Sequence, residues 1–203
     1  MSIRYSFVLL AVCMALLTQR VLSQTQPILI VSVIGGPVSP SNPQAKVAVS
    51  VAFTPVTTST AVAQATFSLG SDDTLGAFSA LNYGAGLTGY CPGGPVGTPS
   101  TSGGVSGVSI YQLNVLGCQA NPANPIEIWT STWATSNFEP RSVQLKTELS
   151  SVSLYSDHGQ SGPNIFFSIG EVVNGSAIIQ VIPAPGALAL LFTSTALTRR
   201  RRR

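Results

Sequence analysis

The sequence predicts an all-β fold, an antiparallel β-sandwich or jelly roll, with a processing segment at each end. In the middle of the chain, apolar and polar residues alternate over short stretches, which is the pattern of half-buried strands. Turn-forming residues separate these stretches, since the 203 residues include 19 Gly and 14 Pro. Only 8% of the residues are charged, and no part of the body keeps a helical period for three turns, which excludes a coiled coil.

The predicted strands follow from this alternation in chain order. They occupy residues 28–34, 46–53, 63–69, 77–83, 108–115, 126–134, 143–149 and 165–169. In three of them the period of two assigns one face to the core, and these inward residues are Val47, Val49, Val51 and Phe53, then Ala63, Ala65, Phe67 and Leu69, then Val143, Leu145, Thr147 and Leu149. Near the end, Asn174-Gly175 lies between two apolar runs and predicts a tight hairpin turn, because a type I′ turn needs positive φ at both central residues.

The ends and the body of the chain differ in charge. The chain has 10 basic and 7 acidic residues, a formal net charge of +3. Two arginines lie near the N terminus and five end the chain, so the body keeps only Lys46, Arg141 and Lys146 against seven carboxylates, a net charge of −4. Because no basic face remains to neutralise phosphates, we predict no nucleic-acid partner.

Residues 1–23 have the pattern of a secretory signal peptide. A short N-terminal region that contains the basic residue Arg4 precedes a mainly apolar run at positions 5–17. Val21-Leu22-Ser23 then provides a cleavage site after Ser23. As a helix, this run extends about 20 Å, less than the roughly 30 Å hydrocarbon layer of a bilayer. We therefore expect contact with the export machinery, cleavage of the signal helix by signal peptidase, and an exported body at residues 24–181.

The cysteines agree with an exported body. Cys13 lies within the signal peptide, so Cys91 and Cys118 remain as an even pair in an oxidising compartment. Residues 84–107 contain nine Gly and three Pro. Ordering so flexible a segment loses much conformational entropy, and a covalent constraint reduces this loss. We predict a Cys91–Cys118 disulfide, the alternative being two free thiols.

The body offers few residues for catalysis or metal binding. His158 is the only histidine, and no Gly-x-Ser-x-Gly motif is present to supply a nucleophile beside it. Asp72-Asp73 fits an acidic turn better than a calcium loop, because two carboxylates are too few for a full calcium shell. We predict no enzymatic activity, no metal and no cofactor. A secreted hydrolase that uses carboxylates or His158 is the competing function.

Two tryptophans are the candidates for a ligand platform. Trp129 and Trp133 are four residues apart on one predicted strand and therefore share a face. Exposed, they could stack on sugar rings; buried, they are core residues. Ile126 and Ile128 are assigned to the opposite face, and apolar residues on both faces favour a central strand with buried tryptophans.

The last 22 residues form a stop-transfer element in three parts. Pro183 and Pro185 enforce an extended spacer, and residues 186–198 form a short, largely apolar stretch. The chain then ends with a basic cluster that stays cytoplasmic by the positive-inside rule, namely Arg199, Arg200, Arg201, Arg202 and Arg203. This order predicts a short C-terminal hydrophobic helix that holds the body outside the membrane.

At residues 182–203 the sequence resembles the C-terminal sorting signal of PEP-CTERM proteins, in which Pro-x-Pro, an apolar stretch and terminal arginines follow in this order. It departs from that signal in one place, since Ala184 stands where the name-giving motif has Glu. The resemblance implies that Pro183, Ala184 and Pro185 are recognised by exosortase, a membrane-embedded, cysteine transpeptidase-like enzyme. It also implies release or attachment at the cell surface, often alongside extracellular polysaccharide. An uncut C-terminal membrane anchor is the alternative.

These observations together predict an exported cell-surface or extracellular-matrix protein, transiently anchored in the membrane by its C terminus. The sparse chemistry of the body predicts a structural or adhesive role, with extracellular polysaccharide as a candidate partner.

Overall fold

The computed structural model describes residues 25–157 and 162–183, and these form two antiparallel sheets packed face to face. The predicted all-β sandwich is therefore confirmed. Among the described residues, the one helical element is a three-residue 3-10 turn at Ala85–Leu87. No helix in these ranges is long and apolar enough to cross a membrane. The predicted signal helix and C-terminal helix lie outside the described residues.

The smaller sheet contains four strands and the larger sheet seven. The smaller sheet consists of β1 (Ile28–Ile34), β2 (Gln44–Ala52), β4 (Gly76–Tyr83) and β8 (Ile126–Thr135), in the order β1-β2-β8-β4. The larger sheet consists of β3 (Ala61–Ser71), β5 (Pro92–Gly93), β6 (Thr98–Pro99), β7 (Val105–Gln112), β9 (Arg141–Tyr155), β10 (Ile165–Phe167) and β11 (Ser176–Val181). Its order is β10-β9-β3-β7-β5, with β11 paired to β9 and β6 paired to β7.

The inward faces of the two sheets form the core. The predicted inward residues of β2, with Phe53 just after it, and those of β3 from Ala65 onward are buried in this core, which confirms the period of two there. Ala63 is buried too, but it lies at a register shift of β3 against β9 and packs in a separate small cluster with Tyr155. Phe67, in the middle of β3, contacts Trp129 of the opposite sheet edge to face, with ring centroids 6.0 Å apart. Contacts of this kind across the sandwich remove apolar surface from water and provide most of the stabilisation.

The predicted face of β9 is wrong at one position. Val143, Leu145 and Thr147 point inward as predicted, but Leu149 is 64% exposed and has a φ of +52°. The pairing with β3 shifts register here, which is a β-bulge, and Ser150 takes the inward position instead. Alternation along the sequence does not reveal such an insertion, because a bulge is decided by the pairing with the neighbouring strand.

The predicted hairpin at Asn174-Gly175 is also wrong. Val173 forms a parallel bridge with Ile28 of β1, and the chain then crosses to pair as β11 with β9 of the other sheet. Gly175 is needed for close approach, because a Cβ at this position would overlap the carbonyl oxygen of Leu29. Pairing with distant strands therefore outweighs the local turn preference.

The C-terminal segment leaves the body at one end of the sandwich, which we call the tail end. Val181 pairs with Arg141 at the start of β9, and the backbone N–H of Ile182 donates to the carbonyl oxygen of Val38 at 2.9 Å. Ser153 lies twelve residues further along β9, and at the rise of a strand this places it about 40 Å from the tail end. The far end of the larger sheet is thus well separated from the exit of the chain.

Candidate functional site

The favoured interpretation of Trp129 and Trp133 as core residues is confirmed, and the alternative of a ligand platform is wrong. Both side chains are 0% exposed. The indole N–H of Trp129 donates to the carbonyl oxygen of Val96 at 2.8 Å, and the indole of Trp133 lies so close to Gly76 that a Cβ there would overlap its ring. Neither ring can stack on a ligand.

A β-bulge explains why β8 is apolar at so many positions. Val49 of β2 pairs with Trp129, and Val51 pairs with Ile126. Between these two pairs β2 advances by two residues and β8 by three, so β8 carries one extra residue. Paired residues share a face, which brings Ile126 to the same inward side as the tryptophans instead of the opposite side. The strand lies inside its sheet, as predicted, but its large apolar side chains are collected on the core face.

The predicted disulfide is present between Cys91 and Cys118, with their Cα atoms 5.9 Å apart. It closes the segment that carries β5, β6 and β7. Beside it, Val115 and Cys118 exchange two backbone hydrogen bonds of 2.9 Å, so that Leu116 and Gly117 form the tip of a tight turn. Gly117 has a φ of +83°, which the third position of a type II turn requires.

Several carboxylates of the body have structural partners. Asp72 accepts a hydrogen bond from the backbone N–H of Gln144 at 2.8 Å. Asp73 accepts from the backbone N–H of Leu75 and forms an ion pair of 3.2 Å with Arg141. Asp72-Asp73 is therefore a turn that joins β3 to β4 and ties it to β9. The described residues contain no group of three His, Cys, Asp or Glu side chains that could hold a metal ion.

Most of the remaining residues that the sequence singled out lie outside the described ranges. His158 is among them, as are Ala184, Pro185 and the five terminal arginines. Pro183 is described and is half-buried, next to the last backbone hydrogen bond of the body at Ile182.

The outer face of the larger sheet carries a row of four side chains across four adjacent strands. Tyr111 of β7 pairs with Gln64 of β3, Gln64 pairs with Ser153 of β9, and Ser153 pairs with Phe166 of β10. Paired residues point to the same side of a sheet, and the flanking Val152 is buried in the core, so this row points outward. We call it the Tyr111–Phe166 row.

The two aromatic rings at the ends of the row are exposed. Tyr111 is 41% exposed and Phe166 is 67% exposed. The Tyr111 ring lies on the backbone of Gly93 and Gly94, where a Cβ on Gly93 would overlap the ring. These glycines therefore allow the ring to lie against the sheet edge while part of it faces solvent.

Hydroxyl groups line the next row toward the tail end. Thr66 of β3 pairs with Ser109 of β7 and with Ser151 of β9, and the hydroxyls of Thr66 and Ser151 are 2.6 Å apart. A shallow depression of about 270 Å³ lies beside Phe166, lined by Gln64, Ser151, Ser153, Pro163, Phe166 and Ser168 among others. The aromatic rings and the hydroxyl groups thus share one continuous face.

A charged depression occupies the same face nearer the tail end. Its volume is about 520 Å³, and its lining includes Asp72, Lys146 and Glu148. The depression beside Phe166 at the far end therefore has an uncharged lining, whereas the depression nearer the tail end has a charged one.

A buried network holds the Tyr111 end of the row in place. The side-chain amide of Gln112 donates to the carbonyl oxygen of Val62 at 2.7 Å and accepts from the backbone N–H of Asn121 at 2.9 Å. The hydroxyl of Tyr155 donates to the backbone carbonyl of Gln112 at 2.9 Å. Burial raises the pKa of Tyr155, because removal from water disfavours its phenolate form.

Sequence reasoning missed the Tyr111–Phe166 row. Its members are separated by up to 102 positions in the sequence, and only strand pairing brings them together. One signal for it lies in the glycine-rich segment at residues 84–107, whose composition predicts only flexibility. In the structure, two of its glycines accommodate the Tyr111 ring.

The sandwich is similar in fold to cohesin modules. The cohesin module of a family 33 glycoside hydrolase from Clostridium perfringens aligns with a TM-score of 0.55 at 8% identity, over 79% of this chain and 99% of the module. The sixth cohesin of scaffoldin B from Acetivibrio cellulolyticus, solved with a dockerin, gives a TM-score of 0.45 at 12% identity, over 75% of this chain and 97% of the cohesin. At such identities the likeness concerns the fold alone. No family model and no curated protein matches the chain.

Proposed function

We propose that this chain is an exported cell-surface or extracellular-matrix protein, sorted through a PEP-CTERM-type signal, with an adhesive β-sandwich body. In this proposal, signal peptidase removes residues 1–23, and an exosortase-type enzyme recognises Pro183, Ala184 and Pro185. The terminal arginines stay in the cytoplasm, and the apolar stretch before them holds the body at the outer side of the membrane until processing.

The observation that carries the export part of this proposal is the disulfide in the body. Disulfides persist in oxidising compartments and are rare in the reducing cytosol. The Cys91–Cys118 bond closes a loop that contains most of the glycine-rich segment at residues 84–107, which most needs a covalent constraint. The body therefore suits an extracellular environment, in agreement with the signal pattern at residues 1–23.

The geometry of the body favours adhesion through a broad face. Its acidic turn at Asp72-Asp73 is tied to backbone groups and to Arg141, while its exposed aromatic residues Tyr111 and Phe166 lie on the flat outer face of a sheet. This face begins at the end of the sandwich opposite the tail. A body tethered by residues 182–203 would therefore hold its aromatic end away from the membrane, where extracellular material can reach it.

The sorting signal can be tested by locating the protein in its native cell. Deletion of residues 183–203 is expected to release the body into the medium, since the segment that retains it is lost. The double substitution Pro183→Ala and Pro185→Ala is expected to leave an unprocessed form in the membrane. Pro55→Ala, at an exposed loop position, is the matched control and should behave as wild type.

Mass spectrometry of the mature surface protein distinguishes sorting from a permanent anchor. Sorting predicts a C terminus upstream of the arginine cluster and loss of Arg203. Recovery of intact Arg203 from the mature surface protein would establish a permanent anchor and contradict the proposed processing. A full-length protein found in the cytosol would contradict export itself.

A further inference from the structure

We propose that the Tyr111–Phe166 row is a binding site for an uncharged extracellular polysaccharide. This inference rests on the proposed function, because the ligand must be outside the cell. It deepens that function by naming the site and the chemical class of its ligand.

The spacing of the row suits an extended chain of sugar rings. Four adjacent strands place Tyr111 and Phe166 about 14 Å apart, at the usual distance between neighbouring strands. Pyranose rings have apolar faces that pack on aromatic rings and hydroxyl rims that form hydrogen bonds. A polymer lying across the strands would place one ring on Tyr111 and a later ring on Phe166.

Polar groups lie between the two aromatic residues. Gln64 is exposed in the middle of the row, and it provides both donors and an acceptor through its amide. The neighbouring row adds the hydroxyls of Thr66, Ser109 and Ser151. Amide and hydroxyl groups can pair with sugar hydroxyls in either direction, so such a face recognises a ligand rich in hydroxyl groups.

The charges around the row determine the class of polysaccharide. None of its four members is charged. The charged residues nearest to Ser153 in the chain are both acidic: Asp157, four positions away just past the end of β9 and hydrogen-bonded to Ser59, and Glu148, five positions away on β9. Lys146 lies further toward the tail end, in the charged depression. An acidic polymer would meet no cationic partner in the row and would approach a body of net negative charge. The face therefore suits a neutral polymer.

The structure also pre-organises the Tyr111 platform. Its ring lies on Gly93 and Gly94, and the adjacent Gln112 is fixed by buried hydrogen bonds. The segment that carries both glycines is closed by the Cys91–Cys118 disulfide. Little conformational entropy is then lost when a sugar ring stacks on Tyr111, which favours binding.

Affinity electrophoresis of the mature protein in native gels tests this site. The gels contain hydroxyethylcellulose, dextran or galactomannan as neutral polymers, or polygalacturonate as an acidic polymer. We expect at least one neutral polymer to retard the protein and polygalacturonate to leave its mobility unchanged. Tyr111→Ala and Phe166→Ala should each weaken the apparent affinity about tenfold, as expected for partial loss of an aromatic contact.

Two further variants control for misfolding and for nonspecific binding through exposed aromatic side chains. Tyr90→Ala removes a tyrosine of similar exposure, 38%, that lies outside the row, and should bind as wild type. Tyr111→Phe keeps the ring and should also bind. The inference is overturned if no neutral polymer retards the protein, if both alanine variants bind as tightly as Tyr90→Ala, or if polygalacturonate is preferred. Localisation of the tail-deleted chain is measured separately, so failure of sorting and failure of the polysaccharide site are distinguishable.

Discussion

Removal of the Cys91–Cys118 disulfide is expected to destabilise the body substantially. The two cysteines are 27 residues apart, and the chain-entropy relation for a loop of that length gives about 3.5 kcal/mol of unfolding free energy. The part of the segment before β7 has few other contacts with the body: β5 and β6 have two residues each and pair only with β7, and Gly94 and Val96 accept single hydrogen bonds from Tyr83 and Trp129. For a body of about 160 residues this loss corresponds to a fall in Tm of about 7–14 °C.

Urea unfolding of the mature protein provides the assay. Trp129 and Trp133 are fully buried, so their fluorescence reports unfolding of the core by a shift to longer wavelength. The double variant Cys91→Ala and Cys118→Ala is compared with the oxidised and the reduced wild type. Reduced wild type should match the double variant, and the reductant should leave the double variant unchanged.

The size of the loss decides whether this reasoning holds. A loss below about 1 kcal/mol would refute it, since the segment would then be held by its non-covalent contacts and the entropy of loop closure would not be the main term. An altered m-value with an unchanged midpoint would show instead that the bond compacts the denatured state.

Three other substitutions, one of them with a matched control, test the packing and the pH dependence of the body. Gly76→Ala should lower the free energy of unfolding by about 1–3 kcal/mol, because the added Cβ overpacks against Trp133. The control Gly36→Ala, with no atom near its added Cβ, should change it by less than about 0.5 kcal/mol. Chemical denaturation measures both changes. Leu149→Gly should stabilise the body by about 0.5–1 kcal/mol, because it relieves a positive φ at an exposed side chain, and equal or lower stability would show that the leucine makes a compensating contact. Since the pKa of Tyr155 is raised in the folded state, stability should be unaffected by this group below about pH 10 and should fall as the pH rises through the folded-state pKa. Tyr155→Phe should flatten that alkaline fall in unfolding measurements from pH 8 to 11, and an unchanged slope would exclude this residue as its cause.

Local alternation determined most of the strands of this protein. β1 has the predicted bounds, and β2, β4 and β8 differ from theirs by two residues or fewer at each end. The period of two is a local property, because successive side chains of any strand point to opposite faces. The disulfide was also predictable, since Cys13 lies in the predicted signal peptide and Cys91 and Cys118 are the other two cysteines of the chain.

Only the tertiary structure decided which strands pair, and with what register. The bulges at Leu149 and beside Trp129 shift the alternation by one residue, and they follow from pairing with strands far away in the sequence. The same pairing buried both tryptophans and brought Tyr111 and Phe166, 55 positions apart, into one exposed row. The sequence by itself determined most of the strands and the turn-forming residues that separate them. The choice of partners for each strand is a non-local balance of packing and hydrogen bonding, and it placed the candidate site.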